Sequence, residues 1–303
     1  MMKYGAANGR ARLLVIFGAA SLAAVGVGAW VCAASGVPTG SWVRNLAAWM
    51  VGGLAAAGLA ATVPSEGRSL LVGDYAQIEA RIVPWLAGAG LATTFFNPAQ
   101  EGVHRWIDVG PLHVNVAMVV SPAAAVALAM AADRLTVWIA AFVALALLVA
   151  QPDASQATAM AGVIGLVAAF SLKTRVMKAL AIAGAGLLTT VAWMRPDPLQ
   201  PVAEVEEIVG MAFRLSPVIG GLALIALIGV VAVPAALSPS KSGSALAGAA
   251  LSLCLALWAV TPMFGAFPVP LVGIGMSPIL GAWLGVGLLA ALHRRPPPSP
   301  ARP

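Results

Sequence analysis

Charge is what this 303-residue chain has least of: Asp, Glu, Lys and Arg make up 9% of it, while 60% is hydrophobic and the mean hydropathy is +0.93. A soluble domain is about a quarter charged and about half apolar, so a core folded in water is excluded. Cysteine is almost absent. Cys32 and Cys254 both lie inside apolar runs and read as small hydrophobes rather than as a disulfide. The three histidines, His104, His113 and His293, are dispersed, which leaves no His/Cys set with metal-ligand spacing. No glycine loop followed by lysine is present to cradle phosphate, and no serine is evidently paired with histidine. The chain lacks an internal repeat strong enough to argue for an inverted-repeat transporter. Its net charge of +6 comes from basic residues scattered at the ends of apolar runs, a pattern that sets membrane topology and does not suit nucleic acid.

What the chain has in quantity is apolar runs long enough to cross a bilayer as helices, where every backbone group is satisfied internally. Ten candidate spans fall at about 12–34, 42–63, 82–97, 112–131, 135–150, 156–171, 175–193, 217–237, 243–262 and 271–292. The expected fold is all-α, a polytopic transmembrane bundle with both termini in the cytoplasm. Residues 12–34 lack a convincing cleavage site and read as a retained first span. With the amino terminus inside, Lys3, Arg10, Arg12, Arg68, Arg81, Arg134, Lys173, Arg175, Lys178, Lys241, Arg294, Arg295 and Arg302 face the cytoplasm. Only Arg44, Arg105, Arg195 and Arg214 face outward, a split of 13 to 4 in the direction that topology favours. Residues 1–11 then form a cytoplasmic segment, 12–293 the membrane domain, and 294–303 a disordered proline-rich cytoplasmic tail. That tail suits solvation better than it suits an SH3-like partner.

The inward string Gly73-Asp74-Tyr75-Ala76-Gln77-Ile78-Glu79-Ala80-Arg81 resembles motif A of family A DNA polymerases. The chain has no room for the soluble palm and fingers that such an enzyme needs. The string reads instead as an amphipathic lead into the third span, with Ile78 and Ile82 on one face.

Charged residues beside a bilayer are candidate working groups, and two outward loops hold them. One reads Gln100-Glu101-Gly102-Val103-His104-Arg105-Trp106-Ile107-Asp108-Val109-Gly110-Pro111. The other contains Trp193-Met194-Arg195-Pro196-Asp197-Pro198-Leu199 and then Glu204, Glu206 and Glu207, which puts four acids within eleven residues. Each admits a plain reading. Trp106 suits an interfacial anchor, Arg105 could pair with Asp108 or Glu101, and Asp197 between two prolines suits a turn. The three glutamates suit the wet face of an amphipathic helix on the outer leaflet. Asp153 after Pro152 suits a break between spans, with a buried polar role as the alternative.

The order of these blocks resembles the SEDS family (shape, elongation, division and sporulation). The string around Arg105 and Trp106 is similar to the family's Gly-x-x-Arg-Trp-Ile-x-x-Gly. Gln151-Pro152-Asp153-Ala154-Ser155-Gln156-Ala157 is similar to its Gln-Pro-Asp-x-Gly-Thr-Ala, Pro196-Asp197-Pro198 falls where it has an Asp-Pro pair, and Phe267 to Leu280 is similar to the stretch opening its last span. The chain departs from the pattern before the fourth span, where Val114-Asn115-Val116-Ala117 replaces a motif with glutamate. It also keeps only about twenty residues of the long seventh loop.

The resemblance implies a peptidoglycan glycosyltransferase of cell-wall synthesis, working in cell shape or cell division. Such an enzyme polymerises lipid II, or another polyprenyl-linked sugar, at the outer face of the bacterial inner membrane beside a penicillin-binding transpeptidase. On that footing Asp197 is the candidate catalytic base, with Arg105, Arg195, His104 and Trp106 as candidate substrate-binding residues. A divalent cation, Mg or Mn, would accompany the diphosphate, and no other cofactor is implied. The shortened loop keeps open an inactive scaffold, and a groove between tilted helices keeps open a carrier of lipid-linked substrate.

Overall fold

The computed structural model describes residues 5–62, 70–238 and 243–292. Lys3, Arg68, Lys241, Arg294, Arg295, Arg302 and the proline-rich tail lie outside them. Ten helices of 15 residues or more occupy the ten expected segments: α1 (Gly5–Ala34), α2 (Thr39–Thr62), α3 (Leu70–Thr93), α4 (Val116–Met130), α5 (Leu135–Ala150), α6 (Ala154–Ser171), α7 (Arg175–Met194), α10 (Pro217–Ala236), α11 (Gly243–Val260) and α12 (Met276–Leu292). Between α7 and α10 sit two short helices, α8 (Ala203–Glu206) and α9 (Ile208–Leu215). Six of the helices are long and apolar enough to cross a membrane, and Val116–Met130, Leu135–Ala150 and Met276–Ala291 are shorter apolar helices. Lipid-facing side chains such as Leu180, Leu187 and Ile225 stay exposed, because in a bilayer the solvent is itself apolar.

Four sequence boundaries move. The first span, expected from 12, belongs to a helix that begins at Gly5. The third span, expected at 82–97, belongs to a helix that begins at Leu70, so the polymerase-like string is part of one continuous α3. The fourth, expected from 112, begins at Val116, because residues 112–115 pair instead with Trp106–Val109 in a two-stranded hairpin, β1 (Trp106–Val109) and β2 (Leu112–Asn115). Asn115 ends the strand and starts the helix, its Oδ1 accepting the amide of Met118 at 3.1 Å. The last, expected from 271, begins at Met276 after an irregular stretch.

Helix association in lipid relies on close packing rather than on escape from water. The two most extensive helix–helix contacts among the described residues are those of α12 with α2 and with α4. Gly287 of α12 lies so near α2 that an added Cβ would sit 2.7 Å from Ala56 Cα, and a Cβ on Gly52 of α2 would sit 2.7 Å from Trp283 Cδ1. Trp283 fills the space left, edge-on to Phe17 at 5.0 Å and to Trp49 at 6.0 Å between ring centroids. Gly287→Val is therefore expected to cost about 1–3 kcal/mol by overpacking, read as a lowered thermal midpoint of the detergent-solubilised chain. An unchanged midpoint would contradict the α2–α12 contact.

Candidate functional site

At one end of the bundle the segments 94–116, 151–153, 195–216 and 261–275 converge. The first is a pair of turns stacked on a hairpin. Gln100 and Val103 exchange backbone hydrogen bonds at 3.1 and 2.8 Å around Glu101 and Gly102, both at positive φ, the geometry of a tight two-residue loop that glycine eases. Alternation along the strand then turns Arg105 inward, 4% exposed, and leaves Trp106 at the rim. The hairpin is pinned below, the amide of Asn115 donating to Ser277 Oγ of α12 at 2.9 Å.

The α5–α6 turn is held by Gln151, whose Nε2 donates to Leu91 O at 3.0 Å and to Thr94 Oγ1 at 2.7 Å. This sets Asp153 as the cap of α6, Oδ1 accepting the amide of Gln156 at 3.2 Å. The chain leaving α7 is clasped by Arg195, which donates to Val149 O at 2.7 Å and Ala150 O at 3.2 Å and so satisfies carbonyls at the end of α5. Two residues on, Asp197 meets Arg105.

Arg105 is the junction. Its Nη2 donates to Asp197 Oδ2 at 2.6 Å and to the carbonyl of Pro152, and its Nε lies 3.6 Å from Asp153 Oδ2. A buried cation is tolerable only when paired and hydrogen-bonded, and two carboxylates from two different loops supply that pairing. Burial pushes the Asp153 carboxyl up from its ordinary range, and the nearby guanidinium offsets part of the rise.

Beside this junction lies a cavity of about 150 Å³, walled by Arg105, Trp106, Asn115, Asp153, Gln156 and Glu206 among others. Leu199 and Gln200 also line it; Asp197 itself does not, and joins the wall through Arg105.

The sequence-derived candidates are therefore distributed unevenly. Arg105, Trp106 and Asp197 come together. His104 turns away from the cavity, stacked near Phe95 with centroids 5.4 Å apart, and Arg195 is engaged on the α5 carbonyls. The alternative pairing of Arg105 with Asp108 or Glu101 is not formed, since Asp108 Oδ1 lies 2.6 Å from His113 Nδ1 across the hairpin. The single amphipathic helix expected for Glu204, Glu206 and Glu207 is instead broken at Glu207 into α8 and α9. Ile208 and Ala212 are buried against the bundle rather than in a leaflet, and Glu206 faces the cavity. The break arises because α8 is tied to the 261–275 stretch, Val269 donating to Val205 O at 3.0 Å and Ile274 to Glu204 O at 2.9 Å. Sequence reasoning gave Gln156 and Asn115 no functional role; for Asp153 it offered a break between spans or a buried polar role, and the structure shows both, a cap of α6 that is buried against Arg105.

Among the described residues no group of three His, Cys, Asp or Glu could hold a metal ion. Asp153 and Asp197 are both turned onto Arg105, so the residues do not form a cage for the divalent cation implied above.

No family model matches the sequence, and no curated protein matches it. Solved structures do. The rod shape determining protein RodA of Thermus thermophilus superposes with a TM-score of 0.70 at 18% identity, covering 92% of this chain and 95% of that one. A single-site mutant of the same protein gives 0.65 at 19%, covering 92% and 96%. A chain from a peptidoglycan synthase complex, solved to describe how polymerization and crosslinking are coordinated, gives 0.68 at 19%, covering 92% and 96%. The chain has the fold of RodA, which is the fold that the SEDS resemblance implies.

Burial also raises the Glu206 carboxyl, with the amide of Val202, 2.6 Å from Oε2, opposing the rise. The folded chain thus holds this proton to higher pH than the unfolded chain. The associated stability is full below the ordinary Glu range and is lost as pH rises through the raised value. Glu206→Gln is expected to flatten that part of the thermal midpoint against pH; an unaltered slope would place the pH dependence elsewhere.

Proposed function

We propose that the chain is a glycosyltransferase that polymerises a polyprenyl-diphosphate-linked sugar, such as lipid II, at the outer face of a bacterial inner membrane. The observation that carries this reading is the buried Arg105, held by Asp197 and Asp153 at the wall of a cavity, within a RodA fold. A cation that costs so much to bury is kept where a diphosphate would need one. The helices around it are apolar enough to hold a polyprenyl tail.

In the proposed reaction the 4-hydroxyl of the acceptor sugar attacks the anomeric carbon of the donor. The new C1–O4 bond forms as the bond from C1 to the diphosphate oxygen breaks, and the polyprenyl diphosphate leaves with both electrons of that bond. The hydroxyl proton passes to a carboxylate. Asp197 takes this part, its Oδ2 anchored on Arg105 and its Oδ1 accepting the Leu199 amide at 3.3 Å, with 23% of its side chain exposed to an incoming hydroxyl. Positioned general bases contribute roughly 10²–10⁴ in rate. Arg105 offsets the charge of the leaving diphosphate, and Trp106 at the rim offers a face to the sugar. A penicillin-binding transpeptidase is the partner, a reading supported by the fold neighbour that comes from a peptidoglycan synthase complex.

The loop between α7 and α10, which α8 and α9 fill, is the feature that favours the scaffold reading. Purified protein given labelled lipid II separates the two. Polymer is expected from the wild type, and a fall of roughly 10²-fold or more is expected for Asp197→Asn, which preserves the shape of the Arg105 contact. Equal polymer from both removes Asp197 from the chemistry. No polymer from either, with lipid II bound, favours the scaffold, and movement of the headgroup across liposomes favours the carrier.

A further inference from the structure

One polar group of the cavity is left unused by this chemistry. Gln156, on the first turn of α6, is 1% exposed and lines the cavity, and its Oε1 has no hydrogen-bond partner among the described residues. Buried polar atoms in folded proteins are nearly always paired, so an orphan calls for an explanation. The neighbouring polar groups of the wall are engaged. Ser155 Oγ lies 2.8 Å from Thr261 Oγ1, Asn115 Oδ1 caps α4, and Glu206 Oε2 accepts the Val202 amide. Arg105 alone shares the condition of Gln156: its Nε is buried without a hydrogen-bond partner among the described residues. Asp153 stands between them, Oδ2 facing Arg105 Nε at 3.6 Å and Oδ1 accepting the backbone amide of Gln156 at 3.2 Å. On either side of one carboxylate, the cavity therefore offers an unused donor on a cation and an unused acceptor on an amide.

We propose that Gln156 is a specificity-determining residue that reads an amide N–H on the carbon next to the phosphate-bearing carbon of the substrate, as in a 2-acetamido glycosyl phosphate. The proposal rests on the reading of the cavity as a site for polyprenyl-linked sugars. In such a ligand the phosphate oxygens face Arg105 while the adjacent amide N–H reaches Gln156 Oε1. A substrate whose substituent at that carbon lacks the N–H leaves the glutamine oxygen unpaired and forfeits the gain.

Two probes isolate that one hydrogen bond: a short-chain polyprenyl diphosphate carrying a 2-acetamido sugar, and its 2-acetoxy counterpart, in which oxygen replaces N–H at nearly constant shape. Binding is measured by calorimetry on the full chain in detergent. The wild type is expected to favour the acetamido ligand by about tenfold to hundredfold, the range associated with leaving a buried polar group unpaired. Gln156→Met, of similar length without the amide, is expected to bind both at the acetoxy level. A wild type that does not distinguish the ligands, or a Gln156→Met that still does, overturns the assignment while leaving the polymerase reading in place. Clear discrimination without polymer formation removes the polymerase reading and sustains the assignment. A wild type that binds neither overturns both. Should Gln156→Met bind neither ligand through misfolding, Gln156→Asn, with the amide drawn back by one methylene, must show a weakened preference; an undiminished one overturns the proposal.

Discussion

The desolvation of one guanidinium governs the architecture of the end of the bundle where the loops converge. Arg105 reaches 4% exposure only because Asp197 and Asp153, more than 40 residues away in sequence on different interhelical segments, are delivered to it together. Taking a cation out of water costs several kcal/mol unless partners replace the lost hydration. Each loop must therefore be held in place by something other than the ion pair. Gln151 fixes the α5–α6 turn to α3, Asn115 and Ser277 fix the hairpin to α12, and Arg195 fixes the exit of α7 to α5. None of these anchors is itself a member of the ion pair, yet each restricts where its carboxylate or guanidinium can go.

The same end of the chain shows how lipid and water divide the work. Within the bilayer, apolar side chains gain little by choosing protein over lipid, so the helices are aligned by shape, through Gly52 against Trp283 and Gly287 against Ala56. Beyond the helix ends the backbone is irregular, and every amide needs a named partner. Asn45 illustrates the transition: from α2 it donates through Nδ2 to Gly273 O at 2.9 Å and accepts the amide of Gly275 at 3.0 Å, stitching the stretch before α12 onto a buried position of α2.

What the sequence made legible follows this division. The ten helical segments could be read because long apolar runs have few alternatives in lipid. Arg105 and Asp197 stood out because charges are scarce in this chain, and the structure joins them at 2.6 Å. Where tertiary contacts decide, the sequence was less legible. Arg195 looked as well placed as Arg105, with His104 as an assisting group, and in the structure Arg195 donates to two carbonyls of α5 while His104 stacks near Phe95. Glu206 sat in a pattern of apolar and acidic residues that suited one helix, and only the hydrogen bonds to residues 269 and 274 break that helix and turn the glutamate inward. Gln156 stood in the block that carries the family resemblance but had no role of its own there, since a glutamine near the start of an apolar helix is neutral until its surroundings are known.

The Arg195 clasp carries a mechanical consequence. By gripping the last carbonyls of α5 from the end of α7, with α6 packed against both, it welds three helices into a panel along one flank of the cavity. Trp193 adds a rivet, its Nε1 donating to Thr158 Oγ1 of α6 at 2.9 Å. Sliding α7 alone would strip two carbonyls of α5 of their donor, so the three helices are coupled and a displacement of one carries the other two.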